Sequence, residues 1–218
     1  FKSPQAYLSN PKTTPPPALV TLALVRLASS DPDQAAQLLP TRWQQSLSAE
    51  EQHWVWGMIG KVAARRLSDN ALDYFAQVKQ LTDLNDDSLA WLARAALRAG
   101  QWDKVQRAIA AMSPAQQQDS TWVYWKARAL LTQGTPADQA RAQALLGSIA
   151  GVDGFYEQLA AEDLGQAVLP PPEPQPPTAE EIARAHANPG LTRALYAIRI
   201  GLRSEGVREW NYTPNLAQ

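Results

Sequence analysis

The residue types that most often bind metal ions or act as nucleophiles are scarce in this sequence. It has no cysteine, and its two histidines, His53 and His186, lie far apart. A metal site needs several clustered ligands, and thiol catalysis needs a cysteine. We also find no glycine-rich phosphate loop and no Ser-His-Asp spacing. We therefore predict neither a metal site nor a cofactor, and we interpret both histidines as core or surface residues.

Carboxylates are the remaining candidates for acid–base chemistry, because glycoside cleavage needs only one or two of them. Three acidic pairs stand where helices are predicted to begin. There they complement the helix dipole, and two of them also complete a capping box in which Ser48 or Thr178 is the cap. These pairs are Glu50-Glu51, Asp86-Asp87 and Glu180-Glu181. We interpret all three pairs as first-turn and capping residues.

Four other acidic residues need a separate explanation. Glu162 and Asp163 precede Gly165 near a predicted helix end, where we expect them to pair with nearby basic side chains. Glu209 is the most suggestive carboxylate, but an Arg–Glu pair beside a packed tryptophan is usually structural. We predict no catalytic residue in this chain. If turnover were found, Glu162, Glu205 and Glu209 would be the residues to mutate.

The chain also has 8 tryptophans, whose rings can pack in a core or stack on sugars. Trp122 and Trp125 share one helix face at a spacing of three residues, whereas Trp54 and Trp56 cannot share one. Aromatic residues at helical spacing are more often buried between helices than used for binding. We therefore predict a core position for Trp91, Trp122 and Trp125.

The composition predicts an all-α protein. Hydrophobic residues make up 45% of the 218 residues, which is sufficient for a buried core. Alanine and leucine dominate, and both are strong helix formers. The net charge is −1, so the chain lacks the basic excess that nucleic acid binding requires. No apolar run reaches the roughly 18 residues of a membrane span.

Capping residues, prolines and glycines set the predicted helix limits. The predicted helices cover residues 18–29, 31–39, 48–67, 69–81, 87–99, 101–112, 120–133, 136–150, 155–164 and 190–205, with Pro40 closing the second, Asp69 capping the fourth and Gly206 ending the last.

An internal repeat joins these helices into hairpins. Ala90-Trp91-x-Ala93-Arg94-Ala95 recurs as Tyr124-Trp125-x-Ala127-Arg128-Ala129, and the two motifs are followed by Gly100 and Gly134. A period near 34 residues is the length of one helix–turn–helix unit in α-solenoids. We predict an all-α, helical-hairpin superhelix of the tetratricopeptide-like (TPR-like) type.

Three segments together resemble a known family. Residues 122–130 contain Trp-Val-Tyr-Trp-Lys-Ala-Arg-Ala-Leu, and residues 154–165 run from Gly-Phe-Tyr to Asp-Leu-Gly. Residues 193–210 end in Gly-Leu-x-x-Glu-Gly-x-Arg-Glu-Trp. In this order, with a proline-rich stretch before the third, they are similar to the soluble lytic murein transglycosylases of Gram-negative bacteria.

The resemblance implies a periplasmic protein that acts on peptidoglycan. Members of the family cleave between N-acetylmuramic acid and N-acetylglucosamine and leave a 1,6-anhydro end. A superhelical region, often closed into a ring, precedes a lysozyme-like domain whose catalytic glutamate lies in a Glu-Ser dipeptide. This sequence has no Glu-Ser dipeptide. We therefore expect a superhelical region that shapes the ring and guides glycan strands, with other cell-wall enzymes as further partners.

The predicted organisation has four parts. Residues 1–17 form an extended proline-rich arm, residues 18–167 the superhelical domain, residues 168–177 a stiff proline-rich strap, and residues 178–218 helices leading toward a catalytic domain. Because the chain begins at Phe1 and shows no signal peptide, we interpret it as an internal or processed piece. The alternative hypothesis is a free-standing helical-repeat scaffold that binds other proteins.

Overall fold

The computed structural model of the chain describes residues 3–10, 15–167 and 175–213. Every regular element in these ranges is a helix, so the all-α prediction is confirmed. The chain divides into two compact units, residues 1–170 and 171–218. No helix in the described part is both long and apolar enough to cross a lipid bilayer.

The first unit contains eleven α-helices within its described residues. In chain order they are α1 (Pro4–Ser9), α2 (Pro17–Ser30), α3 (Pro32–Leu38), α4 (Ala49–Arg65), α5 (Ala71–Phe75), α6 (Asp86–Arg98), α7 (Trp102–Ala111), α8 (Pro114–Gln117), α9 (Ser120–Gln133), α10 (Pro136–Ile149) and α11 (Phe155–Asp163).

Consecutive helices pair as antiparallel hairpins, and each hairpin packs on the next. The pairs are α2 with α3, α4 with α5, α6 with α7, and α9 with α10, after which α11 packs on the last pair. Three apolar clusters run through the stack in chain order, centred on Leu24, Leu89 and Leu146. Each cluster takes side chains from neighbouring hairpins, so burying one hairpin requires the next, as expected of a repeat protein.

Four helices of the first unit end with a residue in the same backbone conformation. Gly100, Gly134 and Gly165, after α6, α9 and α11, have φ between 67° and 74°, the left-handed conformation that ends helices. The equivalent residue after α4 is Leu67, with φ 58°. A leucine in this conformation is strained because its Cβ approaches the following carbonyl oxygen.

Replacing Leu67 with glycine is expected to raise the free energy of unfolding by about 1 kcal/mol, through relief of this strain. Leu67 is 65% exposed, so little apolar contact is lost. Urea denaturation measures the change. Gly100→Ala is the matched control, since nothing lies within 4 Å of its Cβ position. It puts a Cβ into the left-handed conformation, so its free energy of unfolding should fall by about the amount that Leu67→Gly gains. A loss of stability in Leu67→Gly would contradict the strain argument.

The N-terminal segment differs from its prediction. Residues 4–9 form helix α1, capped by Ser3, where an extended arm was expected. Its Leu8 is fully buried in the first apolar cluster. The extended-arm prediction was wrong for these residues because proline is accommodated in the first turn of a helix, where its missing N–H is not needed.

Two predicted helix limits in the first unit were also wrong. The chain does not stop at Pro40 but continues as a π-helical turn over Leu39–Trp43. Asp69 does not cap the following helix: α5 is short, follows Asn70, and gives way to turns well before residue 81. Asp69 instead accepts a hydrogen bond from Arg98 at 2.8 Å. In both places tertiary packing overrides the local signal.

The second unit contains α12 (Ala179–Ala187), α13 (Pro189–Arg199) and α14 (Arg203–Tyr212). The single helix predicted over residues 190–205 is in fact a hairpin of α13 and α14. Its turn lies at Gly201, with φ 92°, and Gly206 is buried inside α14. The predicted stop at Gly206 was wrong because this glycine serves close packing against α13. Most of the predicted proline-rich strap, residues 168–174, lies outside the described residues.

Candidate functional site

The acidic pairs lie in the first turns of their helices, as predicted. Ser48 and Glu51 form a reciprocal capping box at α4, and Thr178 and Glu181 form another at α12. Backbone and side-chain hydrogen bonds from Thr178 lower the pKa of the Glu181 carboxyl. Asp86 begins α6 and accepts hydrogen bonds from Ser113 at 2.7 Å. These contacts explain the acidic pairs structurally.

Among the described residues, three of the four other carboxylates form ion pairs, and Glu162, which was also expected to pair with a basic side chain, forms none. Asp163 lies 3.2 Å from Arg128, and Glu205 lies 3.3 Å from Arg208. Glu209 pairs with Arg193 of α13 and not with its chain neighbour, at 2.5 Å. Trp210, predicted to pack beside this pair, is 45% exposed. The Arg193–Glu209 ion pair therefore links α13 to α14.

The two histidines are separated by the fold. His53 of α4 lies with its Nδ1 2.6 Å from the carboxylate of Asp83, and His186 lies in the last turn of α12. Among the described residues, no three His, Asp or Glu side chains are close enough to hold a metal ion.

The predicted core tryptophans differ in burial. Trp122 is only 2% exposed and lies in the middle apolar cluster. Trp91 and Trp125 are partly buried and pack against that cluster from its edge. The core prediction was therefore right for Trp122 and incomplete for the other two, which lie at the edge of the cluster; Trp91 also lines a groove.

Aromatic rings from three helices, α7, α9 and α11, form one continuous row. We call Trp102, Trp125, Tyr156 and Phe155 the aromatic strip. Neighbouring ring centroids are 6.4 Å apart between Trp102 and Trp125, 6.3 Å between Trp125 and Tyr156, and 5.2 Å between Tyr156 and Phe155. The Trp125 indole donates a hydrogen bond to the Tyr156 hydroxyl at 3.3 Å.

The strip runs from a partly buried end to an exposed one. Trp102 opens α7, Trp125 lies in α9, and Phe155 and Tyr156 open α11. Phe155 is 69% exposed. An exposed phenylalanine next to ordered rings is the kind of amphipathic surface that binding sites use.

A polar cluster borders the strip. The Arg128 guanidinium donates to the Tyr124 hydroxyl at 3.0 Å and to the Asp163 carboxylate at 3.2 Å. The Tyr124 hydroxyl also donates to Asp163, at 3.1 Å. Trp102, Arg128 and Asp163 line an open groove of about 360 Å³ together with Leu131 and Thr132. The groove therefore combines an aromatic wall with hydrogen-bond donors and acceptors.

Burial raises the pKa of the Tyr124 phenol above its ordinary value of 10.0. The folded state then keeps this proton at a pH where the unfolded state has lost it. The free energy of unfolding is therefore expected to fall as pH rises above about 10. Urea denaturation midpoints between pH 8 and pH 11 measure how steeply stability falls with pH. The fall should be less steep in Tyr124→Phe, which lacks the phenol hydroxyl. An equal slope in both proteins would contradict this assignment.

The aromatic strip was not predicted from the sequence, although its residues stand at recognisable positions. Trp102 and Tyr156 open helices after Gly100 and Gly154, and Trp125 belongs to the repeated motif. The spacing of these aromatic residues along the chain gives no helical or strand period. The sequence therefore carries no single signal that marks the strip.

Comparison with known proteins adds one finding. The chain matches no protein-family model and no curated protein at a significant level. It is similar to the X-ray structure of an inactive mutant of lytic transglycosylase Slt from Pseudomonas aeruginosa, with a TM-score of 0.69 and 26% sequence identity. The alignment covers 97% of this chain and 34% of that one. The predicted resemblance to lytic transglycosylases is therefore confirmed, and the chain spans about a third of the structure it matches.

Proposed function

We propose, from its similarity to lytic transglycosylase Slt, that this chain is a non-catalytic superhelical part of a periplasmic protein that cleaves peptidoglycan. The carrying observation is the structural match, which extends over 97% of the chain. In this proposal the hairpin stack forms part of a ring wall and guides glycan strands toward a catalytic site supplied elsewhere. A repeat stack suits this role because it offers extended surface and fixed spacing.

The aromatic strip is the proposed glycan contact. Sugar rings present apolar faces edged by hydroxyl groups, so they fit an aromatic surface beside hydrogen-bonding side chains. The strip offers the rings of Trp102 and Phe155, and the adjoining groove offers the Arg128 guanidinium and the Asp163 carboxylate. These carboxylate and guanidinium groups are already paired with each other, which favours a neutral ligand over an ionic one.

Co-sedimentation with purified peptidoglycan sacculi tests this contact. The double variant Trp102→Ala/Phe155→Ala is expected to pellet several-fold less than the wild-type chain. Trp210→Ala is the matched control, because it removes a half-exposed indole from the second unit, and it should pellet normally. Equal pelleting of all three proteins would show that the strip does not contact glycan.

A turnover assay on the same sacculi tests the non-catalytic part of the proposal. We expect no release of 1,6-anhydro-muropeptides, measured by mass spectrometry, while binding is retained. Release would place a catalytic carboxylate in this chain, and Glu162, Glu205 and Glu209 would then be mutated in turn. Failure of the wild-type chain to bind sacculi would favour the alternative of a protein-binding scaffold.

A further inference from the structure

The repeated tryptophan–arginine motif has different surroundings in its two copies. In the second copy, Arg128 is paired with Asp163, the acidic residue two positions before Gly165. In the first copy, the corresponding residue is Arg94. The residue two positions before Gly134 is Thr132, whose hydroxyl donates to the Ala129 carbonyl at 2.7 Å. An uncharged residue thus stands where the second copy has its carboxylate.

Arg94 is held in place by aromatic rings. Its guanidinium carbon lies 5.0 Å from the centre of the Trp91 ring and 5.2 Å from that of Trp122. Within residues 3–10, 15–167 and 175–213, Arg94 has neither a hydrogen bond nor an ion pair. Cation–π contacts fix the position of a guanidinium but leave its N–H groups without an acceptor.

Arg94 lines an open groove of about 420 Å³ between α4, α5 and α6. Leu67, Leu72 and Trp91 give the groove apolar walls, and Asp69, Arg94 and Arg98 supply its charges. Asp69 is paired with Arg98 at 2.8 Å. One positive charge therefore remains uncompensated, and it belongs to the arginine that the rings hold.

The strained residue Leu67 lies at the same groove. Leu67 is the only residue other than glycine with positive φ among those described, and its side chain is 65% exposed. The other three helices of the first unit that end in this way have glycine at this point. Backbone strain that persists in a repeat protein often accompanies a functional site. Here it places an isobutyl group at the rim, within reach of a ligand bound to Arg94.

We propose that the α4–α6 groove binds a carboxylate carried on a small aliphatic group, with Arg94 donating to the carboxylate and Leu67 and Leu72 contacting the aliphatic part. A guanidinium matches a carboxylate because two parallel N–H groups meet its two oxygens. This site is distinct from the aromatic strip and does not depend on glycan binding there.

Titration with N-acetylalanine, followed by NMR of the tryptophan indole N–H signals, tests the proposal. Saturable shifts of the Trp91 and Trp122 signals are expected. N-acetylalanine amide, which has the same shape without the charge, should cause none. N-acetyl-Ala-Ala distinguishes the source of the ligand: tighter binding than N-acetylalanine would indicate the terminus of a peptide, and equal binding a small free acid.

Arg94→Gln is expected to weaken N-acetylalanine binding at least tenfold. Arg26→Gln is the matched control, since Arg26 is an exposed arginine on α2 outside the groove, and it should bind as the wild type does. Circular dichroism of Arg94→Gln checks that the helices are intact. Equal shifts with the acid and the amide, or unchanged binding by Arg94→Gln, would overturn the proposal. Neither result would bear on sacculus binding, which the strip variants test.

Discussion

Replacing Trp122 with alanine is expected to lower the free energy of unfolding by about 3–5 kcal/mol, the usual cost of truncating a buried tryptophan. Trp122 is 2% exposed and belongs to the middle apolar cluster, which also takes Leu89 from α6 and Ile109 from α7. Removing the indole leaves a cavity where three helices meet. This loss is a large fraction of the stability of an ordinary domain, about 5–15 kcal/mol.

Urea denaturation followed by circular dichroism measures this effect. Trp210→Ala is the control for loss of an indole, because Trp210 is 45% exposed in the second unit, and it should cost less than about 1 kcal/mol. If Trp122→Ala cost no more than Trp210→Ala, the middle cluster would not hold the hairpins together. The same variant should also disturb Arg94, which loses one of its two aromatic contacts.

Replacing Gly206 with alanine is expected to destabilise the α13–α14 hairpin by about 2–3 kcal/mol, in the range found for overpacked sites. A Cβ at this position would lie 2.5 Å from the Ile198 side chain and 2.7 Å from the Ala194 carbonyl oxygen. The Ile198 side chain can rotate away, but the carbonyl belongs to the backbone of α13. The two helices would therefore have to separate.

Hydrogen exchange of the amides in residues 189–212 measures this opening separately from the first unit. Gly147→Ala is the matched control, because Gly147 is also helical and nothing lies within 4 Å of its Cβ position. Alanine there should stabilise α10 by about 0.5–1 kcal/mol, through its better helix propensity. Unchanged exchange in Gly206→Ala would mean that α13 and α14 are not packed as described.

Local signals in the sequence were sufficient for most helix limits. The capping boxes at Ser48 and Thr178 form as predicted, and Gly100 and Gly134 end their helices. These signals work because a cap or a left-handed glycine acts through hydrogen bonds within a few residues. The 34-residue repeat likewise identified the hairpins, since each repeat is one local unit. The three similar segments indicated the lytic transglycosylases by residue type and order alone.

Glycine was ambiguous wherever packing decided its role. Gly206 was predicted to end the last helix and Gly201 to lie within it, but the close approach of Gly206 to Ile198 and the positive φ of Gly201 place the turn at Gly201. Leu67 shows the opposite case: the helix ends there in a left-handed conformation, but the residue is not a glycine, so the sequence does not predict it. Local composition does not distinguish a glycine required by backbone conformation from one required by close approach.

What the sequence determined by itself was the all-α class, the hairpin period and the capping role of most acidic pairs, all of which depend on neighbours along the chain. Only the tertiary structure placed Trp102, Trp125 and Tyr156 in one row, because their rings come from three different helices. The tertiary structure alone also showed that Arg94 and Arg128 have different partners. Both lie in the same motif, but the acidic partner of Arg128 is Asp163, 35 residues away. Contacts between repeats depend on how the hairpins stack, and no local pattern encodes them.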